Sequence, residues 1–195
     1  MPRVTVLCLA LSGLPGCKPE PTLLPDPMPL TEASVGHFCQ MNLMEHDGPK
    51  AQVHLQDVLA PLFFSQVRDA VAYQRMPEQS HEILGIYVND MGADGVSRAE
   101  PGTTNWIRAE DAVYVTGSRR VGGMGAPELV PFSDHGKAEA FAGQNGGTVV
   151  TLAEISDAEV LAAVSDTSQD AAPADHQDDY AARLRALGET TGAKP

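Results

Sequence analysis

The spacing of apolar and polar residues changes several times in the first half of the chain. Short alternating or continuous apolar runs predict strands at HFCQMNLM (37–44), KAQVHLQ (50–56) and HEILGIYV (81–88). Between the last two, PLFFSQVRDAVAYQ (61–74) has apolar residues at helical spacing and predicts a helix. The predicted order in this half is therefore strand, strand, helix, strand.

The second half of the chain has the same order of patterns. DAVYVTGS (111–118) and ELVPF (128–132) predict strands, DHGKAEAFAGQNG (134–146) predicts a helix, and GTVVTLAEI (147–155) predicts a closing strand. We therefore predict an α+β fold made of two tandem ββαβ repeats. The repeats are expected at residues 35–91 and 109–156, with residues 92–108 as the connector.

A weak internal sequence match accompanies this repetition. Laying Pro49 on Pro127 aligns three more pairs without a gap: Ala60 with Ala138, Phe63 with Phe141, and Gln66 with Gln144. The same alignment sets Met124 opposite His46. Few identities support it, so the repeat prediction depends mainly on the order of elements.

The N-terminus has the features of an export signal. Arg3 precedes an apolar run from Val4 to Leu14, which is far shorter than the ~20 residues that span a bilayer. The run ends in LPGC, which resembles the bacterial lipobox, a site cleaved before a cysteine that then carries acyl chains. We therefore predict a signal peptide at residues 1–16 and lipidation of Cys17. The alternative is an ordinary buried strand or helix.

Both flanks of the predicted repeats differ from a folded domain in composition. Residues 17–34 are rich in proline, which favours an extended, flexible tether. Lys18 replaces the aspartate that retains many lipoproteins in the inner membrane, and by resemblance this favours the outer membrane. Residues 157–195 are rich in Ala and Asp and predict a disordered acidic tail.

Charge and cysteine content narrow the class of protein. Thirteen Lys and Arg residues against 26 Asp and Glu residues give a net charge of −13, which disfavours nucleic acid and anionic lipid headgroups as partners. Of the three cysteines, Cys8 leaves with the predicted signal and Cys17 takes the lipid, so Cys39 is the one thiol left. In an oxidising compartment such a thiol must be buried, paired with another molecule, or held by a metal.

The residues around Cys39 suggest which of these applies. If residues 37–41 form a strand, His37, Cys39 and Met41 point to one face. A thiolate and a thioether together favour Cu(I), whereas zinc sites rarely use methionine. The alternative is that Cys39 and Met41 are ordinary core residues, because both types pack well in protein interiors.

A second sulfur lies in an unusual context. Met124 stands among three glycines in RRVGGMGAP (119–127), where the backbone is pliable and the side chain anchors no regular strand. Glycine-rich loops also bind phosphate, but that function needs a helix N-terminus and a lysine, and neither follows here. A two-fold arrangement of the repeats would bring Met124 and His46 beside Cys39.

Four stretches resemble one known family, the NosL copper lipoproteins that are encoded with nitrous oxide reductase. They are GHFCQMNLMEHDGPKAQ, FFSQVRDAVAY, YVNDMG and VGGMGAPE, and the resemblance extends from the lipobox to about Ile155. It implies a fold similar to paired ββαβ units related to organomercurial lyase. It also implies Cys39, Met41 and Met124 as Cu(I) ligands, with His37, Met44, His46 and Met91 as secondary candidates.

The resemblance further implies a function. It is that of a periplasmic, lipid-anchored Cu(I) metallochaperone that supplies copper for maturation of nitrous oxide reductase, in particular its copper-sulfide catalytic cluster. The expected partners are the reductase and a membrane ABC-type maturation complex. An enzyme is not expected, because organomercurial lyase chemistry needs more than one cysteine beside a carboxylate. The alternative is a structural lipoprotein in which Cys39 is merely buried.

Overall fold

The computed structural model describes residues 24–79 and 81–162. In this part of the chain the strands are β1 (Ala51–Leu55), β2 (Leu62–Phe64), β3 (Ile83–Asn89), β4 (Trp106–Arg108), β5 (Val113–Thr116), β6 (Val130–Phe132) and β7 (Thr148–Thr151). The helices are α1 (Val67–Arg75), α2 (His135–Asn145) and α3 (Asp157–Leu161), with 3-10 turns at Leu43–Glu45 and Leu152–Glu154.

The strands form two antiparallel sheets. The first has the order β2-β1-β3-β4 and the second the order β6-β5-β7, so β1 and β5 each lie between the two strands that follow them. Ala51 of β1 lies opposite Phe64 and Val88, and Tyr114 of β5 lies opposite Pro131 and Val150. The fold is a mixed α/β arrangement with two sheets and few helices.

The strand predicted at residues 37–44 is wrong. Residues 37–39 form a turn, closed by a hydrogen bond from Gly36 N to Met41 O of 2.9 Å. Gln40 has a φ of 55°, which an extended strand does not allow. Asn42 then starts the 3-10 turn by accepting a hydrogen bond from Met44 N. The argument that strand alternation aligns His37, Cys39 and Met41 therefore fails.

The helix predicted from Pro61 begins too early. Residues 62–64 form β2, and α1 starts only at Val67. Phe64 is buried and pairs with Ala51, so pairing with β1 overrides the helical spacing. This strand supplies the second strand of the first half in place of residues 37–44.

The gapless internal alignment is also wrong. It pairs Phe63, which lies in β2, with Phe141, which lies in α2. The residues that correspond by position are Phe64 and Ser65, which precede α1, and Phe132 and Ser133, which precede α2.

Two segments predicted to be irregular contain regular structure. The connector at residues 92–108 includes β4, which pairs with β3. The predicted tail begins with α3, which packs against α1 and buries Val160. The remaining tail lies outside the described residues, as do the predicted signal and Cys17.

The described part of the predicted tether is attached to the first sheet. Met28 N donates to Gln52 Oε1 over 2.8 Å, and Gln52 Nε2 donates back to Met28 O over 3.0 Å. Tyr87 donates its hydroxyl hydrogen to Pro25 O, and Leu30 is buried. Residues 25–30 therefore cover the outer face of β1, where Gln52 forms hydrogen bonds with the backbone of Met28. This part of the segment is not a free tether.

One large hydrophobic core joins the two halves. Val53, Val71 and Val88 from the first half pack in the same cluster as Tyr114 and Ile155 from the second half. A smaller cluster lies between α2 and the second sheet. Within residues 24–79 and 81–162, no helix is long and apolar enough to cross a membrane.

Candidate metal-binding surface

Cys39 lies in the turn after Gly36, and its thiol is half-buried and free. A methyl group placed on Gly36 would lie 2.5 Å from Cys39 Sγ, so the sulfur rests directly on this glycine. His37 N donates to Phe63 O over 2.6 Å and Gly36 pairs with Phe63, which attaches the turn to β2. The thiol is therefore held beside the junction of β2 and α1.

Two exposed methionines follow Cys39 in the chain. Met41 is 41% exposed and Met44 is 51% exposed, although methionine usually lies in protein interiors. Met41 closes the Cys39 turn through its backbone carbonyl, and Met44 lies in the 3-10 turn. Both thioethers are accessible to an ion or a partner.

Met124 lies at the end of a tight loop. Gly122 N donates to Ala126 O over 2.7 Å, and Val121 pairs with Pro127 across the base of the loop. Gly125 has a φ of 84°, a conformation that favours glycine. Met124 is 40% exposed, and its backbone N donates to Gln66 Oε1 over 3.3 Å.

The Met124 loop meets the segment around His46. A methyl group on Gly123 would lie 3.0 Å from His46 Cβ and 2.8 Å from Asp47 O, so only glycine fits without displacement. The Cys39 turn is attached to Phe63 and the Met124 loop to Gln66, so both loops contact the short segment that leads from β2 into α1. Neither the predicted strand nor the internal alignment is the reason for this arrangement.

The histidine candidates have different surroundings. The ring of His37 packs among Phe38, Phe64 and Tyr73, with centroid distances of 5.3, 5.6 and 5.5 Å. His46 is half-buried, and its Nε2 atom is buried without a hydrogen-bond partner among the described residues. A neutral imidazole nitrogen in that state is able to accept a metal ion.

Met91 has the contacts of a core residue. It packs against the hydrophobic cluster of the second sheet and lines a cavity of about 210 Å³ with Pro49, Glu128 and Phe141. In the described part of the chain, no group of three or more His, Cys, Asp or Glu side chains is arranged to hold a metal ion.

A buried lysine organises the backbone beside His46. Lys50 Nζ donates to His46 O over 2.7 Å and to Asp47 O over 3.2 Å, and it also contacts Gly48 O. Burial lowers the pKa of Lys50 to about 8, although Glu128 and Asp47 oppose this effect. The lysine therefore fixes the 46–48 segment on which the Met124 loop rests.

Arg98 and Glu128 complete this network. Arg98 forms an ion pair with Asp47 at 2.5 Å and donates to Val121 O over 2.7 Å, which links the two segments. Burial raises the pKa of Glu128 to about 7, against the effects of Arg98 and Lys50. A methyl group on Gly48 would lie 2.7 Å from Glu128 Oε2.

Sequence reasoning missed Lys50, Gln66, Arg98 and Glu128. Among these four residues, only Lys50 has a recognisable sequence feature, because it is a charged residue next to the apolar strand β1. The others act through contacts with residues far away in the chain, which no local pattern indicates.

The chain is similar in sequence to a known protein family and to individual proteins. The NosL family model matches residues 27–160. The copper-binding lipoprotein NosL of Achromobacter cycloclastes is 52% identical over 190 residues, which cover 97% of each chain. The copper-binding lipoprotein NosL of Stutzerimonas stutzeri is 32% identical over 165 residues, which cover 83% of this chain and 84% of that protein.

A solved structure supports the same relationship. The crystal structure of the copper chaperone NosL from Shewanella denitrificans matches with a TM-score of 0.63 and 30% sequence identity. The match covers 68% of this chain and 97% of that one.

Proposed function

Because this chain belongs to the NosL family, we propose that it is a Cu(I)-binding metallochaperone that carries copper to another protein and catalyses no reaction. The observation that carries this proposal is that two sulfur-bearing loops, the Cys39 turn and the Met124 loop, are both attached to residues 63–66, where β2 leads into α1. Thiolate and thioether sulfur are the ligand types that favour Cu(I) over harder ions. The relatives are described as copper-binding lipoproteins, which agrees with that preference.

We propose Cys39, Met41 and Met124 as the copper ligands. The half-buried thiol supplies one anionic ligand, and the two thioethers, each about two-fifths exposed, supply neutral ones. His46 and Met44 adjoin this set and are secondary candidates. His37 packs among aromatic rings and Met91 packs in the core, so they are weaker candidates.

The exposure of the thioethers suits transfer rather than storage. Cu(I) with two or three ligands can accept a donor from a partner before it releases one of its own. Glu45 is exposed and Asp47 pairs with Arg98, and carboxylates suit harder ions. The site therefore offers Cu(I) a soft and open coordination.

The proposed recipient is nitrous oxide reductase, with its copper-sulfide cluster as the copper site that is served. A membrane ABC-type complex is the proposed assembly partner. We also propose that the two halves are tandem ββαβ repeats similar to the organomercurial lyase fold. The shared strand order and the Phe-Ser pair before α1 and α2 support this relationship.

The direct test is a Cu(I) titration of the purified protein with a competing chelator. Cys39→Ser replaces a soft anion with a hard neutral group and should cause the largest loss of affinity. Met41→Leu and Met124→Leu should weaken binding with little change in stability, because leucine nearly conserves volume. Met76→Leu is the matched control, since Met76 is 36% exposed at the far end of α1.

Thiol labelling, together with the titration, separates the chaperone from a structural lipoprotein. In a chaperone, Cys39 of the apoprotein should be labelled rapidly, and Cu(I) should suppress the labelling. Unchanged copper affinity in both ligand methionine variants would refute the three-sulfur site. Absence of Cu(I) binding would favour the structural function.

We propose that lipid on Cys17 anchors the protein in the periplasm, to the outer membrane. One acyl chain binds a membrane only marginally and several chains anchor it firmly, so Cys17→Ser should release the protein. Fractionation of cells that express each form is the measurement. Wild-type protein in the soluble fraction with its first 16 residues intact would contradict the anchor.

The cellular test is the metal content of nitrous oxide reductase from a deletion strain at limiting copper. We expect a secreted reductase that lacks copper at its catalytic cluster, and no rescue by a lipidated Cys39→Ser variant. A fully loaded cluster would refute the delivery function.

A further inference from the structure

Gln66 has a hydrogen-bond pattern that helix formation does not explain. It is the N-cap residue of α1, but its side chain makes no capping hydrogen bond. Asp134 occupies the corresponding place before α2, after the same Phe-Ser pair, and accepts a hydrogen bond from Lys137 N over 2.8 Å. Such a cap stabilises the start of a helix. The first helix therefore lacks a stabilising contact that the second one has.

The side chain of Gln66 is directed to the Met124 loop instead. Its Oε1 accepts the hydrogen bond from Met124 N at 3.3 Å, while its Nε2 donates to Asp69 Oδ2 at 3.1 Å. Because Asp69 offers only an acceptor when ionised, it sets which end of the amide faces the loop. Gln66 is 3% exposed, and a methyl group on Gly122 would lie 2.3 Å from its Oε1. The loop is thus packed directly on this amide.

We infer that Gln66 is a positioning residue that holds Met124 beside the Cys39 turn and so provides Cu(I) with its third sulfur ligand. The inference rests on the function proposed above. The Cys39 turn is attached to Phe63, three residues before Gln66, through His37 N. Both loops are therefore attached to residues 63–66, the short segment that leads from the paired strand β2 into α1.

The composition of the loop explains why a positioning residue is needed. Gly122, Gly123 and Gly125 surround Met124, and glycine has the greatest backbone freedom to lose on ordering. Without the acceptor on Gln66, Met124 would have to be ordered by the copper ion itself. Affinity would fall, while Cys39 and Met41 would stay in place.

The test compares Gln66→Leu with Met124→Leu in the purified full-length protein. Gln66→Leu introduces an apolar side chain of similar size, removes the acceptor and adds no sulfur. Loss of a group that orients a metal ligand typically lowers affinity about 10- to 100-fold, so we expect both variants to lose affinity in that range. The double variant should be within about twofold of Met124→Leu alone, because both changes remove the same ligand. X-ray absorption should show two sulfur ligands instead of three.

A rescue variant distinguishes positioning from general stability. The double variant Gln66→Glu with Asp69→Asn exchanges donor and acceptor between these two side chains. The new asparagine donates to the new glutamate, which still accepts from Met124 N. We expect this pair to restore the affinity and the sulfur count. Gln74→Leu, at an exposed position of the same helix, is the control and should change neither.

A variant in the loop tests the same contact from the other side. In Gly122→Ala the added methyl group should push the Gln66 amide away and lower the Cu(I) affinity. This variant tests the contact independently if Gln66→Leu fails to fold. Gly143→Ala in α2 is its control, because a methyl group there would contact nothing within 4 Å.

Two results would overturn the inference and leave the copper function standing. One is a Gln66→Leu or Gly122→Ala variant that keeps its affinity while Met124→Leu loses it. The other is a double variant whose losses multiply. A wild-type protein that binds no Cu(I), or a Met124→Leu variant with full affinity, would refute the proposed ligand set and the inference together.

Discussion

The Cys39 thiol depends on a glycine that leaves room for it. Any side chain at Gly36 would begin 2.5 Å from Cys39 Sγ and 3.4 Å from Leu43 Cδ2. Carbon and sulfur atoms that are not bonded cannot approach so closely, and the sulfur is the more mobile of the two neighbours. A substitution here should therefore reorient the thiol before it disturbs the core.

We predict that Gly36→Ala lowers Cu(I) affinity about tenfold or more, in the range seen when a metal ligand loses its orientation. Secondary structure should be retained, because the backbone φ at Gly36 is not in the left-handed region. Chelator competition and circular dichroism are the measurements. An affinity equal to that of the wild type would show that the thiol position does not limit copper binding.

Individual side chains were predictable where a residue type has a distinctive chemistry. Cys39 and Met124 were singled out by sulfur in unusual contexts, and each lies on a loop that is attached to residues 63–66. Gln66 was not singled out, since its partner Met124 lies 58 positions away. Lys50 and Glu128 became notable only once burial around them was known.

Helix α3 is held by arginines of α1. Arg68 Nε donates to Glu159 O over 2.8 Å, and its Nη2 donates to Ala162 O. Arg75 pairs with Asp157 at 2.9 Å. Arg68 is 7% exposed, so its contacts satisfy backbone carbonyl groups at the C-terminal end of α3.

We predict that Arg68→Met lowers the free energy of unfolding by about 1–3 kcal/mol, because it removes charged hydrogen bonds at a buried position. Cu(I) affinity should not change. Urea unfolding measures the first quantity, and proteolysis near residues 156–162 should become faster. Arg108→Met is the control, since Arg108 forms exposed ion pairs, which contribute little to stability. An equal loss in both variants would contradict a specific docking of α3.

Three elements lie within two residues of the ranges predicted for them. They are β3, β5 and α2, and the structure confirms each as a strand or a helix. The stretch from Pro61 fails because Phe63 and Phe64 fit either a strand or a helix, and only pairing with β1 decides. The stretch from His37 fails because its backbone follows local hydrogen bonds at Gln40 and Asn42, which an apolar count ignores.

The two halves are joined by buried polar groups as well as by the core. Asp90, after β3, accepts hydrogen bonds from Ser133 N at 3.1 Å and from Gly92 N at 2.8 Å. Lys50 and Glu128 lie near each other, one beside β1 and one before β6. The order of elements in the sequence predicted two similar halves. The polar contacts between the halves could be identified only from the structure.

The pair Lys50 and Glu128 should make stability depend on pH. Folding raises the pKa of Glu128 from 4.5 to about 7, so its contribution to stability falls as pH rises across that interval. Folding lowers the pKa of Lys50 from 10.5 to about 8, so its contribution rises with pH above about 8. The summed contribution of the two groups to the free energy of unfolding is therefore lowest between pH 7 and 8.

We predict that Glu128→Gln removes the first of these effects. The stability of the variant relative to the wild type should increase by about 3 kcal/mol between pH 4.5 and pH 7.5, since one pKa unit corresponds to about 1.4 kcal/mol. Urea unfolding of the apoprotein at several pH values measures the difference. A difference that stays constant over this interval would contradict the prediction.

The attachment of the N-terminal segment to the first sheet has a geometric consequence at the membrane. Leu24 already lies against Gly85, where an added methyl group would come within 2.4 Å of its Cδ1 atom. With lipid on Cys17, six residues separate the anchor from Leu24, and the seven steps of chain between them span at most about 25 Å when fully extended. A linker that stayed free until Val35 would span about 60 Å. The domain would thus work within a thin layer above the bilayer. Only recipients whose copper-accepting groups enter that layer would be within its reach.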